Sequence, residues 1–198
     1  MPLTLYYNPQ SRASVTRWLL EELGVAYELA PVDYEDGSMR TPEFLAINPM
    51  GKIPALVDDG VVVTESVAIA LYLCDKYKTP NDLAPAIDDP LRGDYLRWMV
   101  FNANIEAAMT QKFASFEMNP RQAGWGSYDL VVDVLKARFA KADPWLLGAR
   151  FTALDVTLGG SLNYAVMFGA FPKVPEFTSY LERLTARPAL ARAQAPPE

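Results

Sequence analysis

The sequence predicts a small α/β domain followed by an all-helical domain, and three observations carry that expectation. Short β-rich runs occur only in the first third, among them Leu3 to Tyr7, Ala55 to Asp58 and Val61 to Thr64. From Pro90 onward, apolar residues recur at helical spacing throughout. Between the two regions, Lys78 to Asp89 carries Pro80, Asn81, Pro85 and paired aspartates with little periodicity, which marks a linker. The expected division is therefore 1–78 for the first domain, 79–88 for the linker and 89–198 for the helical domain. A chain of 198 residues is long enough for two small domains with ordinary cores.

Leu3-Thr4-Leu5-Tyr6-Tyr7 alternates and predicts the first strand, with Tyr6 and Tyr7 expected as one sheet-face aromatic and one solvent-side ring. Asn8-Pro9-Gln10 is a turn, and Ser11 can cap a helix with Val15, Trp18, Leu19 and Leu23 on one face, ended by Gly24. Tyr27 to Val32 reads as a second strand, so strand, helix and strand form a right-handed parallel crossover. After a polar loop from Asp33 to Arg40, Thr41 caps a short turn with Pro42 at its first position. Asp59-Gly60 then joins two strands as a hairpin, and Ser66 caps a helix carrying Val67, Ala70, Leu71 and Cys74.

In the second region, Pro90 to about Phe116 and Tyr128 to Ala140 read as helices. Thr152-Ala153-Leu154-Asp155 forms a capping box, with Phe151 placed as a hydrophobic staple. It opens a helix to about Phe168 so apolar that it must lie centrally. Pro175 to Ala186 is a further helix, broken by Arg187-Pro188, and the tail ending Pro196-Pro197-Glu198 is expected to fray.

Composition excludes several kinds of chemistry. With no histidine there is no Ser-His-Asp triad, no Cys-His pair and no His-ligated zinc. Cys74 is the single cysteine, so no intrachain disulfide or Cys-x-x-Cys redox pair can form, which agrees with a reducing cytoplasmic setting. Cys74 lies on the apolar side of its helix and reads as packing. A net charge of −6 argues against a nucleic-acid partner, whose phosphates need Lys and Arg. No apolar run approaches the roughly 20 residues of a membrane span, and no basic-then-apolar leader opens the chain.

The stretch 48–73 organises the rest. A helix start leaves N–H groups unpaired beside a positive dipole end, which suits a carboxylate, and Ile53–Pro54 is a candidate cis bond before a strand. By these residues alone, the stretch is either a site for a small peptide-like anion or a plain sheet edge. Asn48-Pro49, Gly51-Lys52-Ile53-Pro54-Ala55-Leu56 and Thr64-Glu65-Ser66-Val67-Ala68-Ile69 resemble the glutathione-binding half of a cytosolic glutathione transferase. The resemblance implies a thioredoxin-like domain with a cis proline at Pro54. Ile53 would pair by its backbone with the cysteinyl part of glutathione, Glu65 and Ser66 would hold the γ-glutamyl end, and Lys52 would reach the glycyl carboxylate. Phe151 to Asp155 and Tyr180 to Pro188 are similar to this family's helix-capping motif and usual ending, so the likeness spans nearly the whole chain, weakest from 90 to 145.

Such an enzyme must favour the thiolate, because a free thiol with a pKa near ~8.5 is only slightly ionised at neutral pH. A hydroxyl hydrogen bond and a helix N-terminus both stabilise the anion. The family places its hydroxyl or thiol just after the first strand, where this chain offers Tyr6, Tyr7, Asn8, Ser11 and Ser14. Asn8-Pro9-Gln10-Ser11-Arg12 resembles the loop of a bacterial and fungal serine-type branch, which makes Ser11 the expected catalytic residue, beside the plainer reading of Ser11 as a helix cap. Arg12 and Arg40 read as surface charges or as aids to the site, and Glu106 as a surface acid or an aid across a dimer. Tyr95, Trp98, Phe101, Asn102, Met109, Phe113 and Phe116 are expected to offer apolar surface to an electrophile, most of them also fitting core or dimer contacts.

The expected function is transfer of glutathione thiolate to a small, mostly apolar electrophile. Glutathione is then a co-substrate, with no permanently bound cofactor and no metal. A homodimer in the cytoplasm is implied by the resemblance. The alternatives are a non-catalytic binding or regulatory protein on the same scaffold, or a glutathione-dependent peroxidase, isomerase or dehalogenase using the same site.

Overall fold

The alternating run at the N-terminus forms the centre of a sheet. In the computed structural model, which describes residues 2–80 and 82–196, β1 (Thr4–Tyr7) lies between β2 (Glu28–Pro31), its parallel neighbour, and β3 (Ala55–Asp58), its antiparallel one. β4 (Val61–Thr64) closes the hairpin on β3, giving the order β2-β1-β3-β4. Asp59 and Gly60 both take positive φ, 51° and 83°, as the hairpin turn requires. Between β1 and β2 runs α1 (Ala13–Leu23), ended by Gly24 in the left-handed region. α2 (Pro42–Ile47) is capped by Thr41, whose hydroxyl accepts from Phe44 N at 3.3 Å. α3 (Ser66–Lys76) follows the hairpin. This is the thioredoxin-like arrangement the sequence predicts.

Successive side chains of β1 point to opposite faces. Leu5 and Tyr7 are buried, and Arg17 of α1 packs over the Tyr7 ring, whereas Tyr6 meets Phe44 of α2 edge-on at 5.5 Å. Tyr7 is therefore the buried sheet-face ring, and Tyr6, on the opposite face, is half-buried against Phe44.

The chain divides into two units, Met1–Leu83 with Arg187–Glu198, and Ala84–Ala186. The second unit contains α4 (Arg92–Ala114), α5 (Tyr128–Phe139), a π-helical turn at Asp155–Gly159 running into α6 (Gly160–Met167), and α7 (Pro175–Thr185). The turn Asp155–Gly159 is buried, its polar members Asp155 and Thr157 included. Gly159 gives α7 room, since a Cβ would lie 2.7 Å from Leu184 Cδ2 and 3.0 Å from the Tyr180 hydroxyl and would force those side chains to shift. The capping box is half as expected: Asp155 Oδ2 accepts from Thr152 N at 2.8 Å, but the Thr152 hydroxyl donates to that carboxylate at 3.1 Å rather than accepting from Asp155 N. Leu146 N and the Tyr180 hydroxyl donate to Asp155 Oδ1, both at 2.8 Å.

The sequence reading ended the helices at Ala186, but Pro188–Gln194 forms a further helix, α8, packed on α1 in the first unit. Arg187 Nε and Nη2 grip the buried Glu22 carboxylate at 2.6 and 2.7 Å, and Arg192 Nε reaches Glu21 at 2.9 Å. These long-range ion pairs, invisible to local periodicity, hold a helix too short to persist alone. Pro197 and Glu198 of the expected frayed tail, and Asn81 of the linker, lie outside the described residues.

Candidate functional site

The sheet register brings the sequence-predicted residues to one edge. Ala55 pairs with Thr64 and Tyr6 pairs with Ala55, so continuing both ladders sets Pro54 beside Glu65, Ile53 beside Ser66, and the Asn8 loop beside Ile53. The carboxyl ends of β1, β2 and β4 and the start of β3 thus open at the same edge of the sheet.

Each segment there is built to present backbone. The Ile53–Pro54 peptide bond is cis, as the sequence suggested. Among the described residues, neither the N–H nor the C=O of Ile53 takes a hydrogen-bond partner. The preceding loop is held by buried Asn48: its Nδ2 donates to Lys52 O at 2.7 Å, its Oδ1 accepts from Met50 N at 3.1 Å, and its carbonyl accepts from Gly51 N at 2.8 Å. Gly51 takes φ 61°, and a Cβ there would meet both Arg40 Nη1 and Met39 O at 2.8 Å. The Arg40 guanidinium therefore lies against Gly51, next to exposed Lys52, and two cations share that corner.

Glu65 stands at the start of α3 with φ 68° and ψ 118°, a left-handed-side conformation that costs a non-glycine residue about 1–3 kcal/mol. It is exposed, Ser66 is half-buried, and among the described residues neither side chain has a hydrogen-bond or ion-pair partner. Ser66 is thus the first residue of α3 and not the cap expected from sequence, that position falling to Glu65. Strain held at an unpaired acid beside helix N–H groups fits a partner carrying both an ammonium and a carboxylate.

Ser11 is 8% exposed and its hydroxyl is engaged on both sides. Oγ–H donates to Asn8 O at 2.6 Å, and Oγ accepts from Ala13 N at 3.0 Å. Ser14 donates in the same manner to Ser11 O at 2.8 Å. Asn8 O also accepts from Ser11 N at 3.1 Å, so it keeps a donor when the hydroxyl turns away. Asn8 further ties the loop to β2 through Nδ2 and Val32 O, 2.8 Å apart, and to Gln10 N through Oδ1 at 2.9 Å. Sequence reasoning treated Asn8 as a turn residue and as one of the candidates beside the thiol, Asn48 as part of a motif and Arg17 not at all. Asn8 and Asn48 each carry the local mark of an Asx turn, with side-chain Oδ1 bonded to the N–H two residues on.

At the far end of β3, Asp58 is buried and accepts from Lys76 Nζ at 2.8 Å and from the Tyr72 and Tyr77 hydroxyls at 3.0 and 2.9 Å. Burial pushes this carboxyl up, but the hydrogen bonds from Lys76, Tyr77 and Tyr72 outweigh burial and hold it below the usual carboxylate value. The network pins α3 to the hairpin at the end opposite the site.

In the helical unit, Tyr95, Trp98 and Asn102 are buried, so they belong to its interior and offer no open surface. Their spacing matched both roles, and only packing separates them. Phe101 and Met109 are half-buried, while Phe113 and Phe116 are exposed. Cys74 is buried, as expected. No helix among the described residues is long and apolar enough to cross a membrane.

Residues 1–75 match the family described as Glutathione S-transferase, N-terminal domain. The chain is 31% identical to glutathione S-transferase 3 of Zea mays, an alignment covering 98% of this chain and 94% of that protein. Its fold is similar to that of a glutathione transferase from Methylococcus capsulatus, with a TM-score of 0.79 and 31% identity over 97% of both chains. It is also similar to the glutathione transferase URE2P6 from Phanerochaete chrysosporium in complex with oxidized glutathione, with a TM-score of 0.80 and 27% identity over 97% of this chain and 94% of that one.

Proposed function

The chain belongs to the glutathione S-transferase family, and from that premise we propose that it binds glutathione at the open sheet edge and transfers the thiolate to a small, mostly apolar electrophile. The observation that carries this reading is the register that sets unpaired Ile53 backbone beside Ser66, with strained, unpartnered Glu65 adjacent. Glu65 and Ser66 receive the ammonium and carboxylate of the γ-glutamyl end, the Ile53 backbone pairs with the cysteinyl unit, and Lys52 with Arg40 meets the glycyl carboxylate. Sulfur then lies toward the loop at Asn8 to Arg12.

Ser11 serves the thiolate by exchanging acceptors. Its proton leaves Asn8 O, which retains the Ser11 N–H, and turns to sulfur. The thiol proton passes to solvent, sulfur forms a bond to the electrophilic carbon, and the leaving group departs with its electron pair. The helical domain, from about residue 89, supplies the electrophile pocket, for which Phe113, Phe116, Phe101 and Met109 are available. A serine-type mechanism, a homodimer and a cytoplasmic location belong to the same reading.

The Ser11–Asn8 bond favours one alternative: a protein that binds glutathione without activating it. The thiolate's ultraviolet absorbance, followed against pH with glutathione bound, separates the two. We expect the bound thiol to ionise well below its free pKa, and Ser11→Ala to raise that value by roughly one unit or more. Binding without a shift leaves the scaffold reading; a shift that survives Ser11→Ala removes the catalytic role from Ser11.

A further inference from the structure

We infer that Arg17 is a positioning residue of this site: it ties together both ends of the loop Asn8–Arg12 and joins them to the C-terminal segment, and so aims the Ser11 hydroxyl. This inference rests on the proposed function above and adds to it a residue that touches no substrate.

The loop is short, running from Tyr7 at the end of β1 to Ala13 at the start of α1. Arg17 stands one turn into α1 and is 6% exposed. Its Nη1 donates to the Tyr7 hydroxyl at a long 3.5 Å and to the Ala195 carbonyl at 2.9 Å, and its Cζ lies 5.3 Å from the centre of the Tyr7 ring. Its Nε donates to the Tyr27 hydroxyl at 3.2 Å. One guanidinium thus bridges the residue before the loop, the helix after it, and the segment following α8.

The choice of residue is informative. Among the described residues Arg17 meets no carboxylate, so a buried cation is held by a carbonyl and two hydroxyls alone. An apolar side chain fills such a space without the desolvation cost of a charge, so stability alone gives no reason for arginine. Its planar fork can serve three acceptors in fixed directions, which a lysine ammonium on a flexible stem cannot reproduce. The rigid connection matters because the Asn8 carbonyl that receives the Ser11 proton belongs to the first loop residue, while the Ala13 N–H that fixes Ser11 Oγ belongs to the helix. A change in the spacing of Tyr7 and α1 moves those two anchors relative to one another.

The test is the pH titration of glutathione thiolate bound to wild type, Arg17→Lys, Arg17→Met and Gly159→Ala, with thermal unfolding recorded for each. We expect Arg17→Lys, which keeps the charge and loses the fork, to raise the bound thiol pKa by about half a unit to one unit. Gly159→Ala crowds Leu184 and Tyr180, neither of them a partner of Arg17, and should lower the melting temperature while leaving the thiol pKa in place. Arg17→Met should behave as Arg17→Lys or worse; if it fails to fold, the lysine variant still decides. A wild-type thiol pKa in Arg17→Lys overturns the inference, and so does a Gly159→Ala shift equal to that of Arg17→Lys, which would mark general loosening. A wild-type protein that binds glutathione with no pKa shift overturns the proposed function beneath it, a result distinct from both.

Discussion

Single side chains of the first unit divide into those placed to meet the ligand and those that hold the sheet and its helices in shape. Glu65 is of the first kind, exposed and unpartnered among the described residues. Glu65→Gln removes a charge-assisted bond to the γ-glutamyl ammonium, so glutathione affinity should fall roughly tenfold, by calorimetry, with thermal stability unchanged. Asp58 is of the second kind. Its folded carboxyl ionises below its unfolded value, so its stabilisation is complete above about pH 4 and fades as pH falls through the folded value. Asp58→Asn should cost on the order of 1–3 kcal/mol at neutral pH and flatten the acid limb of the stability profile, as chemical unfolding at several pH values would show. A variant whose acid limb matches wild type would remove Asp58 from that role.

Helices and turns show where local pattern ends and packing begins. The capping box was legible as Thr152 to Asp155, yet the carboxylate's further partners, Leu146 N and the Tyr180 hydroxyl, come from distant residues. Burial pushes the Asp155 carboxyl up against the pull of those donors, and burial with the neighbouring Asp155 charge pushes the Tyr180 hydroxyl well above its ordinary value. Asp155→Ala strands several buried donors at once and should destabilise the helical unit by about 3–5 kcal/mol in urea unfolding. The π-helical turn could not be read from sequence, since apolar residues on every side carry no period. Gly159 marks a place where the α7 side chains Leu184 and Tyr180 come close. Gly159→Ala should therefore lower stability by about 1–3 kcal/mol through overpacking, although alanine favours a helix.

At the scale of the molecule, the chain's last helix joins its first domain. Arg187 and Glu22 are 165 positions apart and make two short hydrogen bonds, with Glu22 buried. Arg187→Met leaves that carboxylate without its guanidinium and should cost about 3–5 kcal/mol, read as a lower melting temperature of the first unit. A loss well under 1 kcal/mol would place the pair among ordinary surface bridges. No periodicity in Pro188–Gln194 forecast this partner, because an ion pair across such a separation leaves no trace in either neighbourhood.

The thioredoxin-like arrangement and the candidate group Lys52, Ile53, Pro54, Glu65 and Ser66 were implied by resemblance, while the sequence by itself determined the short strands, the hairpin Ala55–Thr64 and the capped helix start at Thr41. These rest on short-range physics: alternation, turn residues with positive φ, and caps bonding within four residues. Tertiary structure alone decided that Trp98 and Asn102 lie inside the helical unit, that α8 packs on α1, and that Arg17 bridges the loop containing Ser11. It also decided where the Ser11 proton rests. Each of these depends on which surface another part of the chain covers, and a sequence window holds only one of the two surfaces in contact.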